Sequence, residues 1–239
     1  MNVQPNSQVS LGSSLDLPQR PAPQLWLRYL EGGDLGCLST DEWSWGLGLP
    51  ELQRSRYFQS RALLRQQLAD VLGCAGAAVP LHSPPGQPPL LGNGLGWVSL
   101  SHSGAGLLIG YSGSAIGVDL ESTARPIEPA VLLRRFYPEP EQAQLRDLTG
   151  EELRRAVLNS WVLKEAAIKW RHRTLAAELA QWCYDHTSGS LLNLSDGAKP
   201  DHSSALQQDW RWAAVGEGCA GLMLQSPGQP EELMGQQGA

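Results

Sequence analysis

Asp119 and Glu121 stand two positions apart in Gly117-Val118-Asp119-Leu120-Glu121. Side chains at i and i+2 of a strand point to one face, so these carboxylates project together while Val118 and Leu120 turn to the core. Adjacent carboxylates repel, and burying both requires a compensating cation. A divalent ion that prefers oxygen ligands, such as Mg²⁺, meets that need; the plainer alternative is a solvated strand end. Some 40 residues later, Glu165 and Lys169 lie at i and i+4 in Trp161-Val162-Leu163-Lys164-Glu165-Ala166-Ala167-Ile168-Lys169-Trp170 and share a helix face. Leu158, Trp161, Val162 and Ile168 make that helix largely apolar. A buried Glu there needs a cation and a buried Lys an anion. Phosphate oxygens plus Mg²⁺ satisfy both, whereas an ordinary surface ion pair would need neither. Upstream, Ser99-Leu100-Ser101-His102-Ser103-Gly104 runs a strand into a tight turn, whose hydroxyls, imidazole and backbone N–H groups suit a phosphate.

Other chemistries are poorly supported. No G-x-S-x-G elbow accompanies Ser101 and His102, and adjacent residues do not by themselves supply a triad. Cys37, Cys74, Cys183 and Cys219 are scattered, with no C-x-x-C pair, which argues against a zinc site or a disulfide framework. A formal net charge of -6 argues against a broad basic surface for nucleic acid, though not against a local cationic pocket. No stretch has the roughly 18 consecutive apolar residues of a membrane span, and the N-terminus lacks a secretory signal. The expectation is a cytoplasmic protein. Lysine occurs only at 164, 169 and 199, arginine supplying the other cations. Two lysines in one apolar helix therefore suggest a role for a compact ammonium.

The elements that must position these residues read as α+β. Residues 1–24 and 226–239, rich in Ser, Gln, Gly and Pro, read as disordered arms. A long helix is expected over Leu49–Leu72, opened by Pro50 and closed by Gly73. A Pro/Gly-rich loop follows over 80–96. Three strands, Trp97–Ser101, Ala105–Tyr111 and Ala115–Glu121, are separated by short turn signals that suggest a meander. A second long helix is expected over Glu151–Trp170. Thr174–Gln181 is ambiguous, and strands are expected at Gln181–Asp185, Leu191–Leu194, Trp210–Val215 and Ala220–Gln225. Helix-then-strands occurs twice, which suggests two similar α+β halves, 25–114 and 115–225, with a cleft between them.

The three motifs, in this order, resemble the 4′-phosphopantetheinyl transferase superfamily, and more narrowly its long Sfp-like branch, which includes cyanobacterial members. The G-x-D-x-E strand, the W-x-x-K-E-A-x-x-K helix and the S-x-S-H-S turn are all complete. The resemblance covers roughly residues 25–225. It implies a pseudo-twofold monomer with its active site in the cleft. It also implies transfer of the 4′-phosphopantetheine arm of coenzyme A to a serine of an apo acyl or peptidyl carrier protein, with release of adenosine 3′,5′-bisphosphate. No nucleic acid or membrane partner is implied.

By carry-over, Asp119, Glu121 and Glu165 would hold Mg²⁺, with Mn²⁺ as an alternative. Glu165, directly or through a metal-bound water, would deprotonate the carrier serine and Lys169 would hold phosphate charge, with Lys164 supporting the same pocket. Coenzyme A would also meet Asp119, Ser101, His102, and the helix pair Arg61 and Arg65 at its 3′-phosphate; solvated helix surface is the alternative for the arginines. Arg171 and Arg173 would meet an acidic carrier. One departure stands out: Gly86-Gln87-Pro88 occupies the place of the family's Gly-Lys-Pro or Gly-Arg-Pro, so a cation is missing, with Arg56 or another arginine as a substitute. Two rival readings remain, a Mg²⁺-dependent phosphohydrolase and a catalytically impaired module that binds coenzyme A or the carrier.

Overall fold

The computed structural model describes residues 20–92 and 94–225. Residues 1–19 and 226–239, which hold most of the expected N-terminal arm and all of the expected tail, lie outside the described residues. In chain order the elements are β1 (Gln24–Tyr29), α1 (Thr40–Leu47), α2 (Glu51–Leu72), β2 (Leu81–His82), β3 (Leu90–Leu91), β4 (Trp97–Ser103), β5 (Gly106–Ser112), β6 (Ile116–Ser122), α3 (Pro129–Phe136), α4 (Glu139–Gln144), α5 (Gly150–Trp170), α6 (Leu175–Glu178), β7 (Trp182–Asp185), β8 (Ser190–Asn193), β9 (His202–Gln207) and β10 (Trp210–Gly216). The fold is α+β, with antiparallel sheets. No helix among the described residues is long and apolar enough to cross a membrane.

Local sequence explains the helices that frame the site. Pro50 caps α2, and Gly73, left-handed at φ 63, ends it by donating its N–H to the Ala69 carbonyl. Ser39 and Glu42 form a reciprocal capping box that starts α1. Strand alternation then stacks four layers. Trp26, Leu107 and Ile109 face Leu64 and Leu68 of α2. From the opposite face of the same sheet, ordered β1-β5-β4, Leu25, Leu27 and Leu108 meet Val118, Leu120, Trp212 and Ala214. These last belong to a second sheet, ordered β6-β10-β9, whose outer face carries Ala213 and Val215 against Val162, Ala166 and Ala167 of α5.

The expected meander is corrected at its third strand. β4 and β5 form a hairpin, but β6 leaves them and builds its ladder with β10. Its other edge is met by side chains of β4. Val118 N–H donates to Ser99 Oγ (3.1 Å) and Ser122 N–H to Ser103 Oγ (2.9 Å). Hydroxyls thus satisfy backbone donors that a continuous sheet would have paired. The expected strand over Ala220–Gln225 is also corrected. Gly218 and Gly221 take positive φ there, and the segment makes only an isolated bridge from Gln225 to Trp26. The strand on the other edge of β10, opposite β6, is the polar β9. Thr174–Gln181 resolves into α6 and a 3₁₀ turn over Leu179–Gln181.

α5 lies unusually close to β6. A Cβ placed on Gly117 would collide with the Ala166 carbonyl oxygen and the Trp170 nitrogen, so only glycine lets the helix backbone rest there. Gly117→Ala is expected to cost about 3 kcal/mol, the upper end of the overpacking range, as read from urea unfolding. An unchanged midpoint would show that α5 can lift without cost.

Candidate active site

β6 and α5 bring the expected acids together. Asp119 and Glu121 share the face of β6 that Gly117 presents to α5, while Val118 and Leu120 are buried in the core between the sheets. Glu165 meets them from the helix, and one carboxylate oxygen from each of the three lies within 4.8 Å of the others. Asp119 is 2 % exposed, and its Oδ2 is buried without a hydrogen-bond partner. Lys169 Nζ donates to Asp119 Oδ1 (2.6 Å), Ser101 Oγ (3.0 Å) and the Val118 carbonyl (3.1 Å). The Ser101 hydroxyl in turn donates to Asp119 Oδ1 at 2.7 Å. Glu121 accepts from Ser103 Oγ at 3.1 Å and pairs with Arg125.

This cluster is charge-frustrated. Burial, reinforced by Asp119 and Glu121 and opposed by Lys169, pushes the Glu165 carboxyl up to about 8. Burial and the Asp119 charge also raise Glu121, against the pull of Arg125, Ser103 and Lys169. Three oxygen donors, one buried oxygen without a partner and two raised carboxyls fit a hard divalent cation, which would relieve the repulsion.

A second set of polar groups lies further along β4, in a cleft that Ser101 and Lys169 of this cluster also line. Ser101 points toward the carboxylates, and His102, its neighbour, points to the other side of the strand. A cleft of about 590 Å³ has Ser101, His102, Lys169 and Arg61 on its walls and Gly86, Gln87 and Pro88 at its lip. Gly86 takes φ 73 in the turn closed by Gln87 N–H to Pro84 O. Beyond His102 and Arg61 a further space of about 600 Å³ is lined by Arg56, Tyr57 and Leu52. Arg61, 8 % exposed, is anchored by Nε to the Ser83 carbonyl and Nη1 to Ser60 Oγ, and its guanidinium lies 4.7 Å from the Tyr57 ring centre. Partial burial lowers the His102 imidazole below its ordinary value, and Arg56, Lys169 and Arg61 lower it further. An anion arriving among these groups would be held by two guanidinium groups and would favour protonation of the imidazole.

Comparisons with known proteins identify the family. Residues 115–215, which span β6 to β10, match the 4′-phosphopantetheinyl transferase superfamily. The chain is 30% identical over 191 residues to a protein of Synechocystis sp. strain PCC 6803 named "Putative 4'-phosphopantetheinyl transferase slr0495", covering 76% of this chain and 78% of that one. The chain belongs to the 4′-phosphopantetheinyl transferase superfamily. Phosphopantetheine transfer is therefore its general chemistry.

Measured against what the superfamily pattern led us to expect, several residues are placed elsewhere. Arg65 is 1 % exposed and faces away from the cleft. Its Nε pairs with Glu42 at 2.6 Å, and its remaining nitrogens donate to the carbonyls of Gly76, Val79 and Leu81. Four of its five N–H donors are spent in this way, and Arg65 lines neither space of the cleft. Lys164 is likewise corrected: it is fully buried on another face of α5, 2.6 Å from Glu141 and 3.6 Å from the Tyr137 ring centre. Adjacent helix positions differ by about 100°, which separates Lys164 from Glu165. Arg171 is tied to Asp196 (2.7 Å) and Glu178 (3.6 Å), whereas Arg173 is largely exposed and stands on the cleft wall.

Sequence reasoning missed Arg125, the Ser99 and Ser103 bridges, and Glu141. The S-x-S-x-S alternation was the available signal for the bridges; Arg125, four residues after Glu121, carried none strong enough to single it out. Burial tends to raise Glu141, but His186, the Lys164 ammonium and Ser160 outweigh it and hold the carboxyl below its ordinary range. A carboxyl depressed on folding adds stability above its unfolded pKa of about 4.5, and that stability disappears as pH falls through the lower folded value. Melting temperature is thus expected to fall steeply below pH 4.5, and less steeply in a Glu141→Leu/Lys164→Met variant. Parallel slopes would contradict the assignment.

Proposed function

We propose that this chain transfers the 4′-phosphopantetheine arm of coenzyme A to a serine of an apo acyl or peptidyl carrier protein, acting as a monomer in the cytoplasm. The observation that carries the reading is the joining of two chemistries along one cleft: Lys169 with the three converging carboxylates beside it, and Arg61 with His102 further along. Coenzyme A is a molecule with that charge pattern, a pyrophosphate at one distance from a 3′-phosphate.

Asp119, Glu121 and Glu165 would hold Mg²⁺ or Mn²⁺, which when bound supplies charge neutralisation at the pyrophosphate oxygens. Lys169 holds Asp119 in place and presents its ammonium to the same phosphates. Arg61 and His102, with Arg56 beside them, hold the 3′-phosphate, and the Gly86–Pro88 lip borders the nucleotide end. Arg56 and Arg61 also supply the positive charge that Gln87 does not. Glu165 accepts the proton of the carrier serine as its oxygen forms a bond to the β-phosphorus. The bond from that phosphorus to the adenosine 3′,5′-bisphosphate oxygen breaks, and this bisphosphate leaves. Arg173, at the rim, meets the acidic surface of the carrier.

The test is the intact mass of an apo acyl carrier protein after incubation with this protein, coenzyme A and Mg²⁺. A gain of one phosphopantetheine arm, abolished by EDTA, is expected. Coenzyme A cleaved without a carrier would point to a hydrolase. Coenzyme A bound but never transferred, across several carriers, would point to a binding module.

A further inference from the structure

The transferase reading leaves one buried charged cluster unused, on the side of α5 away from the cleft. Glu141, in the first turn of α4, and Lys164 are both fully buried, 2.6 Å apart. Glu141 also accepts from Ser160 Oγ, from Tyr184 N–H at 3.2 Å and from His186 Nε2 at 3.4 Å. One carboxylate therefore ties together two turns of α5, the strand β7 and the residue that follows it. A buried pair of this kind is a weak source of stability, because desolvation offsets the attraction. Its directional bonds can nevertheless fix a position that apolar packing leaves open.

The position left open is that of α5 itself. Its contact with the second sheet is made largely by small residues, Gly117, Ala166, Ala167 and Ala213, with Val162 and Val215 as the larger side chains. Small residues interlock less than large ones, so apolar packing alone leaves the rotation of the helix less tightly set. Rotation matters here, since Glu165 is the neighbour of Lys164 in the helix and Lys169 lies one turn beyond it. A few degrees of turn would carry both away from Asp119, to which Lys169 bonds at 2.6 Å.

We propose that Glu141 is a positioning residue for the active site: by holding Ser160 and Lys164 from behind, it sets the rotation of α5 that aims Glu165 and Lys169 at Asp119. The proposal rests on the transferase reading only for its effect on turnover; its effect on ion binding does not depend on it.

The decisive variant is Glu141→Leu/Lys164→Met, which replaces the pair with apolar side chains of similar size and leaves no buried charge. It is expected to fold and melt near the wild-type temperature, yet to bind Mn²⁺, followed by electron paramagnetic resonance, about tenfold more weakly, the low end of the effect known for displaced metal surroundings. Turnover on a carrier protein should fall about tenfold with the KM for the carrier unchanged. Ser160→Ala, which spares the ion pair and removes one bond, should weaken Mn²⁺ binding by a smaller factor. A folded double variant with wild-type Mn²⁺ affinity overturns the proposal. Should the double variant fail to fold, wild-type Mn²⁺ affinity in Ser160→Ala overturns it equally. Weakened Mn²⁺ binding in a chain that never modifies a carrier would uphold the positioning role and defeat the transferase reading.

Discussion

Asp119→Asn is expected to reduce turnover about a thousandfold while leaving the metal-free fold close to wild-type stability. The size of the kinetic effect follows from the place of Asp119 in the cluster. It touches Lys169 and Ser101 and meets the carboxylates of Glu121 and Glu165. Losing one anionic ligand removes several kcal/mol of charge stabilisation from the transferring phosphate, and about 4 kcal/mol corresponds to a factor of roughly a thousand. Stability behaves differently, because two effects oppose. The amide loses the ion pair to a partly exposed lysine, and it relieves repulsion against Glu121 and Glu165, both of which Asp119 raises. The clearest reading is the response to metal. At a hundredfold excess over Kd, a bound ion adds about 2.7 kcal/mol to the wild type, visible as a rise in melting temperature that the variant should lack. A variant that still gains stability from Mg²⁺ would remove Asp119 from the ligand set.

Arg65→Ala should destabilise the protein by about 3–5 kcal/mol, the cost of leaving a buried charge without its partner. The stranded group is Glu42, fully buried with Arg65 as its counter-ion, and three backbone carbonyls lose a donor at the same time. Whatever fraction remains folded should keep its KM for coenzyme A. Arg61→Ala is expected to do the reverse. It gives up two anchoring bonds and a ring contact, but its main loss, on the proposed function, is a charged contact to the 3′-phosphate. Contacts of that kind are worth about 1.5–3 kcal/mol, which is a rise of roughly 10–100-fold in KM. Urea unfolding and coenzyme A titration on the two variants separate the roles. Equal KM effects would put both arginines on the ligand.

That contrast shows where the sequence stops being informative. Arg61 and Arg65 share one face of α2 by spacing, and spacing assigned them one role. The length of an arginine side chain lets the first reach the cleft and the second reach Glu42 on α1, a helix that the apolar pattern did not reveal. Asp119, Glu121, Glu165 and Lys169 were legible because their geometry is local: a strand repeat of two and a helical repeat of four fix which residues share a face. Lys164 was misplaced because one step along a helix turns the side chain about 100°, and nothing local says which of two neighbouring charges faces inward. Its partner Glu141 lies in another helix, 23 positions earlier, beyond any periodicity. The third strand went wrong for a related reason. Short turns predict pairing between neighbours, but β6 exchanged that pairing for hydroxyls on β4 and a ladder with the distant β10. β9 escaped notice because its polar residues, half exposed at a sheet edge, carry no apolar alternation.

The alternation along β4 also constrains how this gene can change. Ser101 and His102 both line the cleft beside Lys169 and Arg61, but the three serines bond across to β6 and its acids whereas His102 alone also lines the space with Arg56, so the strand is read in steps of two. Insertion or deletion of a single residue within it turns every later side chain over, delivering the imidazole to the acids and the hydroxyls to the arginines at once. Length variation here is tolerable only in pairs, whereas the loop before Trp97 can grow or shrink by any number as long as the strand re-enters in phase.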